Sequence, residues 1–298
     1  MNRPSGKSLL FSVAALLSGV SIYLLLLFFL DRNQVEIEER NFDEILDNRS
    51  GVVEIFTLPE IPTVIVVDFP DLRWQGAALN RFAALVEKRG LPRDRIVSDA
   101  RLNEYMRMVG ARAETFYFGH NYDVRDIVRF YNIARSQDVE LRREEVALKH
   151  LLERSGVLRE KPDGVLQKGA GFEYMISIAG INQEYVGALG SSIDLRRATF
   201  LHELGHALFA TDAEYAAYSR RFWEEVLTHE ERELFEKFLY RLHYETKNID
   251  LVVDEMQAYI MFTPSDRIIN DRMLGLPEGR LDELRQLFRA GSPVIWDD

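Results

Sequence analysis

The chain has no cysteine among its 298 residues. That absence removes disulfide frameworks, Cys-ligated zinc, iron–sulfur clusters and thiol nucleophiles, so any metal must be held by His, Asp or Glu. Histidine is scarce too, at 6 residues, which keeps the candidates for such a site few. Positive charge is in the minority: 37 Lys and Arg stand against 48 Asp and Glu, a formal net charge of −11. A chain so charged repels phosphate backbones, which argues against nucleic-acid binding as its task and points to neutral or basic partners. Internal repeats and low-complexity blocks are missing as well. With 47% hydrophobic and 29% charged residues, wholesale disorder is excluded.

What is present begins with a long apolar run. Leu9–Leu30 is nearly all apolar, and no charged residue lies between Ser8 and Leu30. At 1.5 Å rise per residue such a helix would span about 33 Å, the thickness of a hydrocarbon core. Arg3 and Lys7 precede it, and an acidic stretch with Asp31, Glu36, Glu38 and Glu39 follows it. The charge asymmetry predicts a cytoplasmic tip and transmembrane signal anchor over residues 1–30. It predicts a charged stalk over 31–50 and an extracytoplasmic domain, periplasmic or cell-surface, over 51–298. A cleaved signal peptide is the competing reading; Leu24–Leu30 runs into Asp31-Arg32 with no A-x-A pattern, which favours the uncleaved anchor.

Beyond residue 50 the pattern is α+β with helices dominant. Val52–Thr57, Thr63–Phe69, Thr115–Gly119 and Phe172–Ala179 read as strands. Helical spacing marks 77–89, 99–109, 123–136 and 140–154, and everything after Leu195 reads as helix. Ser191 with Asp194 forms a capping-box start for the first of these C-terminal helices.

That helix carries His202-Glu203-Leu204-Gly205-His206, an HExxH motif. Residues four apart share a helix face, so two neutral imidazoles at that spacing can grip one zinc ion. Glu203, about 100° around the helix from His202, lies beside the metal, where its carboxylate can act as general base. Gly205 offers room for another element to approach. The third ligand has two candidates. Glu255 sits within an apolar stripe of Leu251, Val252, Ala258, Tyr259 and Phe262, and a buried ionised carboxylate demands a partner. Asp212, six residues after His206, would need a sharp turn where Phe209 stands, which favours Glu255. Tyr259, one turn from Glu255, is a candidate donor to a developing oxyanion, with His243 a weaker one.

HELGH with a downstream helix bearing Glu resembles the zincin metallopeptidases in their gluzincin arrangement, over roughly residues 170–262. The resemblance implies Zn2+ held by His202, His206 and Glu255, with Glu203 as general base. It also implies a zincin-like domain with a small mixed sheet, in which Phe172–Ala179 is the nearest candidate for the substrate-binding edge. Tyr259 occupies the position where thermolysin-like members carry Asp, so support for the zinc histidines is left to other residues such as Asp254. The expectation is a membrane-anchored zinc metallopeptidase acting on a protein or peptide substrate. The alternatives are a catalytically idle zincin-fold binding module at the membrane and a di-iron carboxylate helical protein. The latter lacks a second Glu-x-x-His.

Overall fold

A computed structural model describes residues 35–187 and 191–294. Seven strands and eleven α-helices account for most of them. In chain order they are β1 (Glu38–Glu39), α1 (Phe42–Leu46), β2 (Glu54–Thr57), β3 (Val64–Phe69), α2 (Leu72–Val86), α3 (Asp99–Met108), β4 (His120–Asp123), α4 (Val124–Ser136) and α5 (Arg143–Arg154). Then come β5 (Leu158–Glu160), β6 (Leu166–Lys168), β7 (Tyr174–Ala179), α6 (Ser192–Thr211), α7 (Ala213–Arg221), α8 (His229–Arg241), α9 (Ile249–Met261), α10 (Asp271–Leu274) and α11 (Arg280–Gly291).

The main sheet has the order β1-β2-β3-β7-β4 and is mixed: β1–β2 and β3–β7 are parallel, β2–β3 and β7–β4 antiparallel. The central strands β3 (VIVVDF) and β7 (YMISIA) are buried on both faces, which is why both read as unbroken apolar runs rather than alternating ones. Val64, Val66, Ile176 and Ile178 face α6 and the C-terminal helices. Ile65, Val67 and Met175 face α2 and α4 on the other side. The domain is therefore a sheet between two helical layers, with α6 laid across one face.

Two polar residues in this core are paired. Asp68 on β3 (3% exposed) and Arg196 on α6 (2% exposed) meet in two bonds of 2.9 Å, and Arg196 also donates to the carbonyls of Ile45 and Leu46. Removing one member of a buried pair strands the other's charge. Asp68→Ala is therefore expected to destabilise the domain by about 3–5 kcal/mol, read by urea unfolding. A second buried pair, Arg81–Glu145, ties α2 to α5.

Several expectations are corrected. No helix among the described residues is long and apolar enough to cross a membrane. The longest, α6, carries Asp194, Arg196, Arg197, His202, Glu203 and His206. The run Leu9–Leu30, on which the transmembrane anchor rested, lies outside the described residues. The single-pass anchor, the membrane as partner and the extracytoplasmic placement are withdrawn on that finding.

Residues 35–50, the described part of the expected stalk, belong to the domain. β1 pairs with β2, Ile45 and Leu46 are buried, and Phe42 stacks on Phe200 at 4.6 Å. The aromatic stretch 115–119 is not a strand; the strand begins at His120, and Phe116 and Tyr117 turn inward against Lys88. β7 is not the edge either, because β4 pairs along its outer side.

Candidate metal centre

Helix α6 starts as its sequence predicts. Ser191 caps it, accepting from Asp194 N while the Asp194 carboxylate accepts from Ser191 N. From that start His202 and His206 fall on one face, with Nε2 atoms 3.1 Å apart. Gly205 explains how α9 comes near enough to complete the group. A Cβ there would sit 2.6 Å from Phe262 Cδ2 and 3.3 Å from the Ala258 Cα, so only glycine admits this approach. The approach puts Glu255 oxygens 3.7 Å from His202 Nε2 and 3.8 Å from His206 Nε2. One ligand atom from each of the three residues lies within 4.8 Å of the others, which makes them a possible metal-binding group.

The hydrogen bonds around the group fix the tautomers. Thr263 spends its only hydroxyl hydrogen on the Ala258 carbonyl (2.9 Å), so at 2.9 Å from His202 it must accept from Nδ1–H. Asp254 accepts from His206 Nδ1–H at 2.8 Å and is itself held by Gln257, which Tyr215 holds in turn. In the neutral rings both Nε2 atoms then carry lone pairs aimed at one point. Glu255 Oε2 is buried there without a hydrogen-bond partner. With both rings neutral, three lone pairs converge and repel one another; a metal cation, or a proton on one ring, removes the conflict. Tetrahedral ligands at 2.0–2.1 Å would stand about 3.3 Å apart, close to the spacings here.

Without a cation, a proton on His206 meets the same need. Burial opposes charge on His206, but Asp254, Glu255 and Glu203 outweigh it and hold its pKa up, to about 10. Burial would raise the Glu255 carboxyl, yet His206, His202 and the Tyr244 phenol hold it below the usual value. The site calls for positive charge.

Glu203 stands beside the group as the motif predicts. Burial raises its pKa, opposed by the two histidines and by Asn121, which donates to Oε2 at 2.9 Å. Asn121 comes from the edge strand β4 and accepts from Tyr174 at 2.8 Å. The other carboxylate oxygen of Glu203 passes over Gly119, where a Cβ would lie 2.4 Å from Oε1. A cavity of about 510 Å³ opens next to His202 and Glu203. Tyr259 lines it, with its ring 4.7 Å from that of His202 and its phenol pKa raised by burial.

The rival ligand Asp212 is used otherwise: it caps α7, accepting from Glu214 N and Tyr215 N at 2.9 and 3.0 Å. His243 is not among the residues lining the cavity, and His229 pairs with Glu233 on the surface. Sequence reasoning left Asp254 open as a support and missed Asn121, Thr263, Tyr244, Gly119 and Lys88. Of these only Gly119 carried a signal, as a glycine closing an aromatic run.

Glu87, just past α2, supplies a pH handle. Burial pushes its carboxyl up to about 7, against the lowering pull of Lys88. The protonated form is thus favoured in the folded state. Stability is intact below about 4.5, where the unfolded carboxyl ionises, and is lost as pH rises through 7. Glu87→Gln should therefore gain about 1–3 kcal/mol on the parent between pH 4.5 and 7.5, measured by urea unfolding at both.

Compared with known proteins, the chain matches no family model, no curated protein and no solved structure.

Proposed function

We propose that the protein is a zinc-dependent hydrolase of peptide bonds, with His202, His206 and Glu255 as metal ligands and Glu203 as general base. The observation that carries this reading is the convergence of two imidazole lone pairs and an unpartnered buried carboxylate oxygen beside Glu203, at the mouth of a cavity. Zinc, when bound, supplies Lewis acidity: it acidifies water and polarises a carbonyl.

The chain's own residues do the rest. Asn121 holds Glu203 Oε2, leaving Oε1 above Gly119 to take a proton from water and pass it to the leaving amine. A carboxyl with a raised pKa suits both halves of that transfer. Thr263 and Asp254 keep the Nδ1 protons in place, so both rings present Nε2 to the metal. Tyr259, beside His202 in the cavity, is assigned to donate to the carbonyl oxygen as negative charge develops there. The edge strand β4 next to Glu203 offers backbone groups for an extended peptide.

The test is cleavage of a mixed peptide library by the purified protein, followed by mass spectrometry. Cleavage should stop on chelation and return with zinc. Cleavage indifferent to chelation, or none from a zinc-loaded protein, would overturn the reading. Gly119→Ala gives a finer check. The added methyl must displace Glu203, so hydrolysis should fall at least about tenfold with metal content unchanged.

A further inference from the structure

The cavity holds a cation that the proposed reaction does not use. Lys88, directly after Glu87, lines the same cavity as His202 and Glu203, yet is only 5% exposed. Its Nζ sits among three rings, 4.0 Å from the centroid of Tyr117, 5.0 Å from Phe116 and 5.1 Å from Tyr244. Among the described residues its Nζ makes no ion pair within 4.0 Å; the Glu87 and Glu255 carboxylates act on it from farther off and only partly offset the burial that lowers its pKa. A buried ammonium so placed is costly. Ring faces recover part of that cost, but they offer no acceptor for the N–H groups. Arg267 adds a second positive group at the cavity wall. The positive wall is local, because the chain as a whole carries −11.

We infer that Lys88 is the recognition group for a carboxylate of the substrate, so that the cavity prefers peptides bearing an acidic side chain or a free C-terminus near the bond to be cut. The inference rests on the reading of this cavity as the substrate site. A carboxylate fits the setting better than a more highly charged anion, because Glu203 and Glu255 stand in or beside the same cavity. It would give the ammonium the charge-assisted bonds it lacks, while the aromatic cage holds Nζ in place beforehand. The overall acidity of the chain had pointed to neutral or basic partners; the cavity wall reverses that expectation for the group bound there.

The test uses the full chain, zinc-loaded, with Glu203→Gln to prevent turnover, and isothermal titration with two peptide pairs. One pair is acetyl-Ala-Ala-Glu-Ala-Ala-amide against its Gln counterpart. The other is acetyl-Ala-Ala-Ala with a free carboxylate against its amide. In one pair the carboxylate peptide should bind at least about tenfold tighter. The pair that responds tells a side-chain carboxylate from a terminal one. Lys88→Met should bring the ratio near one, and Lys88→Arg should keep most of it; Lys88→Gln replaces Met if that variant does not fold. Ratios near one for both pairs in the parent, or a ratio that survives Lys88→Met, would overturn the inference. Zinc content is measured on the same samples. A charge preference without zinc retains the role of Lys88 and removes the hydrolase reading; zinc without the preference does the opposite.

Discussion

Glu203→Gln should bind zinc as the parent does and lose hydrolysis by a factor of about 10²–10⁴, the usual worth of a positioned proton-transfer group. The amide keeps the shape and can still meet Asn121, 2.9 Å from Oε2 in the parent, but it cannot take a proton from water. The expected pattern is a fall in kcat with little change in KM, because the lost interaction belongs to the transition state. Full activity in this variant would remove Glu203 from the mechanism. Loss of zinc together with activity would mean that the carboxylate works as a ligand instead.

Glu255→Ala has the second large effect, on metal content. Glu255 is 3% exposed, and its Oε2 has no partner other than the place where the metal would lie. Deleting it leaves two imidazoles and one fewer negative charge. Bound zinc should drop from about one per chain to a small fraction after dialysis against micromolar free zinc, measured by atomic emission. In the metal-free state the same change takes a carboxylate from beside His206, so the apoprotein should lose some stability, and the further stabilisation by added zinc should disappear. The separation of those two readouts distinguishes a ligand from a residue that merely packs. Asp254→Asn should be milder, costing about 10–100-fold in zinc affinity, because it disturbs only the orientation of His206.

The parts of this site that were legible in the amino-acid order are those set by local periodicity. The His202–His206 spacing and the Ser191 cap lie on one helix, and a helix places residues by count alone. Glu255 could be found because a carboxylate inside an apolar stripe needs a reason. The Asp212 alternative could be weighed down by Phe209, and the structure uses Asp212 as a helix cap.

What was illegible depends on elements meeting across long separations. Asn121 reaches Glu203 from a strand 82 positions earlier, and Thr263 reaches His202 across 61. No periodicity links such pairs; only the packing of β4 and α9 against α6 creates them. The edge of the sheet was misplaced for the same reason. A strand buried on both faces reads alike whether or not a neighbour lies outside it, so β7 gave no sign that β4 would cover it. The stretch 115–119 read as a strand because aromatics favour strands, but its rings are drawn instead to Lys88 and the cavity. Residues 35–50 read as a solvated stalk on their charge, while Phe42, Ile45 and Leu46, spaced three and four apart, form a short helix that buries against the core.

The metal site is tested most directly by diffraction from zinc-soaked crystals collected on both sides of the zinc absorption edge. One strong anomalous peak is expected about 2.0–2.1 Å from His202 Nε2 and His206 Nε2 and about 2.0–2.2 Å from a Glu255 oxygen. A peak elsewhere, or no peak with Glu255 turned away from the two rings, would contradict it.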